Sequence, residues 1–290
     1  MAKTTVIGAE LMDIAENRGW LKENYRIFYA TEKRDMDFQA HFHEFHKIVF
    51  CLNGHVTYAA EGKTFRLEPG DLLIIPAHCI HRSSIRGDDM YERVILWIDD
   101  SYVANYNEPA FAELFGCPLL LHADSTKKVI LSEMLKTANR CVKNAFPGHL
   151  LLSETYVIQF MITVSQMIRS GSDNGTESVR SDRRMNEVIE FINANLAEKL
   201  SVEEIAARFF LSPSRLSQQF KEYNGCSIHQ YIIQKRMIHA ADAIRNGTPV
   251  IQAARNNGCE DYSAFLRAFK KAYGCTPGDM KKQCDSRNIR

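Results

Sequence analysis

The last third of the chain contains the same helical pattern twice. The segments Leu216–Lys221 and Phe265–Lys270 align at an offset of 49 residues, and each is followed by a Gly-Cys pair at the same distance. Before the turn of each copy the offset is 48 residues, as between Ile205 and Ala253. The second turn is therefore expected to be one residue longer. Two helix pairs in series favour a tandem helix-turn-helix arrangement, which can read two successive stretches of a DNA major groove.

The first copy has two clear helix start signals. Ser201, followed by carboxylates in the first turn, predicts the N-cap of a short scaffold helix. Ser212 with Pro213 predicts the start of a second helix. Leu216 and Phe220 are four residues apart and should face inward, which leaves polar side chains outside. The candidate contacts to base edges and phosphates are Ser212, Ser214, Arg215, Gln218, Gln219 and Lys221.

The second copy repeats this plan. Asn257-Gly258 predicts its turn, with Gly258 supplying a positive φ, and Phe265 and Phe269 form the predicted buried pair. Its candidate DNA-contacting residues are Asp261, Tyr262, Ser263, Arg267, Lys270 and Lys271. Between the copies, residues 228–245 predict one long helix ended by Asn246-Gly247. That helix should hold the two recognition helices about one duplex turn (~34 Å) apart.

Residues 186–282 resemble the DNA-binding domain of the AraC/XylS transcription regulators. The matching positions are Ile205, Ala206, Ser212, Leu216, Phe220, Lys221, Gly225, Tyr231, Arg236, Ala240, Gly258, Phe265, Arg267, Phe269, Lys270, Gly274 and Pro277. The sequence departs from the usual pattern at Ala253, Cys259, Ala264 and Met280, which predicts weaker packing in the second copy. The resemblance implies a sequence-specific transcription regulator, more often an activator than a repressor, which acts on RNA polymerase at a promoter.

Length and composition leave room for two domains. The chain has 290 residues, 45% of them hydrophobic, and a formal net charge of +1. From Met185 onward there are 15 Lys and Arg against 11 Asp and Glu, a basic excess too small to argue from. The small, polar stretch Ser170–Ser178 predicts a linker. The predicted division is a sensor and dimerisation domain at 1–170, a linker at 171–184 and the DNA-binding domain at 185–290.

Cysteine usage and hydropathy bear on the compartment. The eight cysteines have no Cys-x-x-Cys spacing, and the sequence has no signal peptide and no apolar run long enough to span a membrane. A reducing cytoplasm is therefore the expected location, with no membrane partner.

Upstream of the linker, residues 25–100 predict short strands. Segments rich in β-branched and aromatic residues are separated by turn signals at Asn53-Gly54, Glu61-Gly62 and Pro69-Gly70. The pattern His41-Phe42-His43, Gly54, Gly70, Pro76 and His81 is similar to the two motifs of the cupin fold, found in the N-terminal domain of many AraC-type regulators. The expected fold class is thus an N-terminal all-β cupin or jelly-roll barrel with covering α-helices, and a C-terminal all-α double helix-turn-helix.

Cupin enzymes bind a metal through three histidines and a glutamate, and the histidine places are filled here by His41, His43 and His81. Lys47 occupies the glutamate place, and an ammonium offers no ligand and repels a cation. Neither a metal nor another cofactor is therefore expected, although Glu44 or His46 could substitute. Two interpretations stay open: the histidines line a polar barrel mouth, or with Lys47 they bind an anionic or hydroxyl-rich effector such as a carbohydrate.

Two amphipathic segments follow the barrel, Thr126–Cys141 and Leu150–Ile168. Ile130, Met134 and Leu135 form the predicted apolar stripe of the first, and Leu152 belongs to that of the second. Such helices could cover the barrel. In the resembled family they also form dimer contacts, so a homodimer is expected.

Two other functions compete with an effector-responsive regulator. One is a metal-dependent cupin enzyme, an oxygenase or isomerase, fused to a DNA-binding domain; we expect no enzymatic activity. The other is a thiol sensor using Cys51, Cys79, Cys259 or Cys275, which the absence of a closely spaced cysteine pair disfavours.

Overall fold

The computed structural model describes residues 21, 23–32, 36–86, 90–170, 180–181 and 183–287. The chain divides into two compact units, one of residues up to 60 together with 64–180, the other of residues 61–63 together with 181 onward. Most of the predicted linker lies outside the described residues. The first helix of the second unit begins at Arg183, two residues before the predicted start of the DNA-binding domain.

Two antiparallel sheets form the first unit. The first sheet has the order β1 (Tyr25–Glu32), β8 (Tyr91–Asp99), β3 (Phe45–Asn53), β6 (Asp71–Ile75) and β9 (Leu119–His122). The second runs β5 (Lys63–Leu67), β4 (Val56–Ala60), β7 (His81–Ile85) and β2 (Met36–Asp37). A further two-residue strand, β10 (Arg180–Ser181), lies at the boundary of the units. The predicted β-rich N-terminal domain is confirmed.

Strand β3 is the centre of this unit because both of its faces are buried. Ile48 and Phe50 belong to a core shared with the helices that follow the barrel. Val49 and Cys51 point the other way, into a core shared with the second sheet. Since side chains alternate along a strand, neighbouring residues of β3 serve different cores. The face that each residue occupies therefore decides whether it can reach the barrel interior.

Four helices complete the described part of the first unit: α1 (Asp100–Asn105), α2 (Pro109–Leu114), α3 (Ser125–Lys143) and α4 (His149–Ser170). Helices α3 and α4 were predicted, but the prediction of which face of each helix is buried was partly wrong. Leu131 and Leu135 are buried on α3, whereas Ile130 is 45% exposed. On α4, Leu152 is 41% exposed. The pattern offered apolar residues on more than one face, and packing against the sheet selected one of them.

Seven helices form the described part of the second unit: α5 (Arg183–Ala194), α6 (Val202–Arg208), α7 (Pro213–Asn224), α8 (Ile228–Arg245), α9 (Val250–Asn256), α10 (Tyr262–Tyr273) and α11 (Pro277–Arg287). We call α6 with α7 the first module and α9 with α10 the second module. The scaffold helices α6 and α9 have 7 residues each, and α7 and α10 have 12. The predicted repeat and its longer second turn are confirmed.

Hydropathy of the helices bears on membrane association. Among the residues that the structure describes, no helix combines the length and the apolar composition that crossing a membrane requires.

Candidate DNA interface and effector site

Helix α7 presents a polar outer face on a rigid base. The Ser212 hydroxyl caps it by accepting the Arg215 backbone N–H at 3.2 Å, and Gly225 ends it with φ +73°. Leu216 and Phe220 are fully buried, as predicted. Of the predicted DNA-contacting residues, Ser212, Ser214, Arg215, Gln218 and Lys221 are exposed, and Gln219 is half-buried. The helix therefore exposes hydrogen-bonding groups on a side that the core does not use.

Helix α10 is built in the same way with a different cap. The Asp261 carboxylate accepts the Ala264 backbone N–H at 2.9 Å, so this side chain is engaged in capping. Phe265 and Phe269 are buried beneath the helix. The remaining predicted residues, Tyr262, Ser263, Arg267, Lys270 and Lys271, are exposed. This face carries more positive charge than that of α7.

Helix α8 connects the modules through one arginine. The Arg236 guanidinium donates to the carbonyls of Leu196, Glu198 and Gly258 at 2.9, 2.7 and 2.8 Å. Two of these carbonyls precede the first module, and the third lies in the turn of the second. Arg236 thus ties the turn of the second module to the segment before the first. In the sequence, Arg236 was noted only as a position that matches the family pattern, because the neighbouring residues do not show which carbonyl groups it contacts.

In the first unit the three predicted histidines do come together. Ring centroids are 4.5 Å apart for His41 and His81, 4.8 Å for His43 and His81, and 6.1 Å for His41 and His43. Each Nδ1 lies 2.6–2.9 Å from a backbone carbonyl oxygen, of Phe45 for His43 and of Cys79 for His81. A carbonyl can only accept, so Nδ1 carries the proton and Nε2 presents a lone pair.

The two inner imidazoles are held neutral. His43 and His81 are buried, and their Nε2 atoms make no hydrogen bond among the described residues. Burial lowers the pKa of His43 well below its usual value, and the charge of Lys47 lowers it further. Burial likewise lowers the pKa of His81, helped by His41 and His43. Both rings therefore present hydrogen-bond acceptors rather than positive charge.

Lys47 lies on the inner face of β3 and is 9% exposed. Its ammonium stands 5.7 Å from the ring centroid of Tyr58. Burial lowers the pKa of Lys47 to about 7, and the charge of Arg93 acts in the same direction while Glu32 opposes it. The Lys47 charge is thus present at slightly acidic pH and lost as the pH rises through about 7.

Sequence reasoning missed a second buried cation near Lys47. Arg93 Nη1 lies 3.0 Å from Glu32 Oε2, an ion pair without hydrogen-bond alignment, and both side chains are at most 5% exposed. Arg93 also stands 4.5 Å from the ring centroid of Tyr91. The register of β1 with β8 brings these residues together, pairing Glu32 with Tyr91 and Ala30 with Arg93. No sequence motif marks that register, although alternation along β8 could have indicated an inward arginine.

His46 does not substitute in the histidine cluster. Its Nε2 lies 2.9 Å from Asp100 Oδ1, its Nδ1 accepts the Ala77 backbone N–H, and its ring stacks on Phe115 at 3.9 Å. It belongs to the face of β3 opposite to Lys47. Within the described residues, no group of three or more histidine, cysteine, aspartate or glutamate side chains is arranged to hold a metal ion.

The two units define a protein with a β-rich ligand-binding domain and a double helix-turn-helix DNA-binding domain. Residues 25–160 match the family described as AraC-like ligand binding domain, and residues 205–283 match the helix-turn-helix domain family. The chain thus combines the two kinds of domain found in AraC-type transcription regulators.

Two relatives align with most of the length of this chain. The HTH-type transcriptional activator RhaS of Klebsiella pneumoniae is 24% identical over 277 residues, covering 86% of this chain and 89% of the relative. The arabinose operon regulatory protein of Escherichia coli K12 is 24% identical over 241 residues, covering 81% and 80%. Among solved structures, ToxT from Vibrio cholerae has 12% identity and a TM-score of 0.39, covering 90% of this chain and all of that one.

Proposed function

We propose that this protein is an effector-responsive transcription activator that reads two successive major-groove segments of a promoter and acts on RNA polymerase in the cytoplasm. The observation that carries the proposal is the duplicated module: α7 and α10 have equal length, buried aromatic bases and exposed polar faces. Each face combines arginine, which can read guanine bidentately, with hydroxyl and ammonium groups suited to bases and phosphates, and α7 adds the amides of Gln218 and Gln219. Its activating relatives support the same direction of regulation.

Selection from a random DNA pool by the purified full-length protein tests this proposal. At two salt concentrations, we expect enrichment of one site with two half-motifs about 10 base pairs apart. Binding without any enriched sequence, lost steeply as salt rises, would contradict it, because only phosphate contact would then be present. Transcription from a promoter carrying the selected site, with and without effector, would separate activation from repression.

We further propose that the effector binds among Lys47, His43 and His81, with His41 at the edge of the cluster. The neutral Nε2 atoms are acceptors, so they favour a ligand that donates hydroxyl hydrogens. Lys47 favours an acidic group, because Glu32 already offsets Arg93. The ligand class that satisfies both requirements is a small hydroxylated anion, such as a sugar acid or sugar phosphate. We propose no catalytic role for this cluster.

A matched ligand panel tests the ligand class. A neutral sugar, its acid and its phosphate are compared by calorimetry with wild type, Lys47→Met and the surface control Lys136→Met. We expect the acid or phosphate to bind, and Lys47→Met alone to lose that binding. Affinity for the anion should fall as the pH rises through about 7, since the pKa of Lys47 is about 7 in the free protein. Equal binding of the neutral sugar by all three proteins would contradict the anion preference.

We also propose a homodimer formed through α3 and α4. These helices leave apolar side chains exposed, among them Val129, Leu150 and Leu151 at 63%, 59% and 67%. Exposed apolar residues in this density favour a protein partner. Sedimentation of Leu151→Glu should give a monomer where the wild type gives a dimer, whereas Arg66→Glu, at an exposed position of β5, should stay dimeric. A monomeric wild type at micromolar concentration would contradict the proposal.

A further inference from the structure

A basic recess lies beside the first recognition helix, on the side of α5. It is lined by Arg183, Arg184, Glu187, Arg215 and Gln219. The first three residues belong to the first two turns of α5, and the other two to the outer face of α7. Arg183 forms an i,i+4 ion pair with Glu187 at 3.1 Å, yet its side chain is 94% exposed. The recess therefore opens to solvent along the same helix that presents the candidate base-reading groups.

The charge of this recess calls for an anionic partner. Three guanidinium groups face one carboxylate, which leaves a net charge of plus two. Two of the arginines also occupy the first turn of α5, where the helix dipole is positive and acidic residues are favoured. In the neighbouring α6 the first turn instead holds Glu203 and Glu204. Local helix electrostatics thus disfavour Arg183 and Arg184, and such a departure is expected where a binding role outweighs it.

We propose that Arg183 and Arg184 form a clamp for the DNA backbone that borders the groove occupied by α7. The inference rests on the proposed DNA-binding function and extends it to a helix outside both modules. A recognition helix in a major groove has a sugar-phosphate strand along each of its sides, so cations flanking α7 meet phosphates rather than base edges. The two arginines add affinity and fix the seating of the first module, while sequence choice stays with α7.

The test compares Arg183→Ala/Arg184→Ala with two controls on full-length protein. Arg183→Lys/Arg184→Lys keeps both charges, and Arg66→Ala/Arg86→Ala removes two charges from exposed positions of the first unit. Binding to the selected site and to a random duplex is measured from low to moderate salt. For the alanine pair we expect the slope of log K against log salt to become shallower by nearly two, at about 0.9 per phosphate contact. Both controls should keep the wild-type slope.

Further readouts separate the clamp from other roles. The alanine pair should enrich the same DNA motif as wild type and unfold at the same temperature, because the buried face of α5 consists of Met185, Val188, Ile189 and Ile192. An unchanged salt slope, or a changed motif, would overturn the clamp. The clamp would also be overturned if the alanine pair lost binding of inorganic phosphate at constant ionic strength but bound DNA as the wild type does. If the wild-type protein selects no site, the proposed function fails. If the wild-type protein selects a site and the alanine pair binds it with the same salt slope, only the clamp fails.

Discussion

The first and second modules have helices of equal length but different turns between them. The first turn has four residues, 209–212, and its left-handed residue is Phe210, with φ +56°. The second has five residues, 257–261, and its left-handed residue is Gly258, with φ +72°. Phe210 is 94% exposed. A Cβ on Gly258 would instead lie 2.7 Å from the Leu196 carbonyl oxygen and 2.9 Å from Arg236 Cζ.

This difference shows that backbone conformation alone does not require glycine. Both turns contain a left-handed residue, and the first accommodates a phenylalanine because its side chain extends into solvent. The second turn lies against the backbone of residues 196–197 and under Arg236, so only a residue without a Cβ fits. The turn of the second module therefore packs against the rest of its unit at Gly258, whereas the turn of the first module is exposed to solvent at Phe210.

The modules differ in their cores as well. In the second, ring centroids of Tyr262, Phe265, Phe269 and Tyr273 follow one another at 6.0, 5.6 and 4.7 Å. In the first, Phe220 packs edge-on against Tyr231 of α8 at 5.4 Å. Two of the departures from the family pattern are also buried, Ala253 in α9 of the second module and Met280 in α11. The weaker packing expected there stays a prediction, and the aromatic row is the feature that would offset it.

The largest expected effects come from removing the buried aromatic base of each module. Phe220→Ala and Phe269→Ala should each destabilise by about 3–5 kcal/mol, because both side chains are fully buried. Hydrogen exchange of peptides from each module shows whether the loss is local. If Phe269→Ala opens only α9 and α10 and Phe220→Ala only α6 and α7, the modules unfold separately. Loss of protection throughout 183–287 in both variants would mean that α8 couples them.

Alanine substitutions at two glycines test the comparison of the turns, with a somewhat smaller expected loss of stability. Gly258→Ala should lose about 3 kcal/mol, from the left-handed conformation and from overlap with backbone carbonyls. Gly274→Ala is the matched control: its φ is +71°, but a Cβ there meets nothing within 4 Å. It should lose only about 1–2 kcal/mol, measured by chemical denaturation. Equal losses would show that the close approach at Gly258 relaxes at little cost.

DNA binding sharpens the comparison of the outer faces. Arg215→Ala and Arg267→Ala should each weaken the selected site by about 1–3 kcal/mol and relax the preference at one position, if both arginines read bases. Lys270→Ala should weaken all DNA alike and reduce the salt slope by about one. Arg267→Ala behaving like Lys270→Ala would mean that the second module grips the backbone while the first reads sequence. Competition binding with selected and scrambled duplexes distinguishes these outcomes.

The smallest expected effect is at the exposed turn. Phe210→Gly removes a left-handed side chain that buries almost no surface, so stability should rise by up to about 1 kcal/mol. The rise is limited because glycine loses more backbone entropy on folding. Phe210→Ala, which keeps the strain, is the control. A loss of stability in Phe210→Gly but not in Phe210→Ala would show that the left-handed conformation is not strained in this turn.

Sequence reasoning predicted the regular helices and the longer strands well and the irregular parts poorly. The bounds of α8 were predicted from its apolar residues and the stop signal Asn246-Gly247, and they agree with the structure. The short elements α1, α2, β2, β7 and β9 were missed, because two to six residues contain too little periodicity to recognise. Strand β7 is also mostly polar, with the sequence HRSSI. Its pairing with β4 and β2, rather than its own composition, makes it a strand.

The sequence by itself determined the two-domain organisation, the repeated module, the cap that starts α7, and the histidine and lysine positions of the candidate effector site. These features depend on neighbours a few residues apart, where helix and strand periods act directly. Tertiary structure alone decided that His46 lies outside the histidine cluster, that Glu32 and Arg93 lie near Lys47, and that Arg236 ties the turn of the second module to the segment before the first. Each of these contacts depends on strand register or joins residues that are about 20 to 60 positions apart in the chain. No local sequence pattern encodes such contacts.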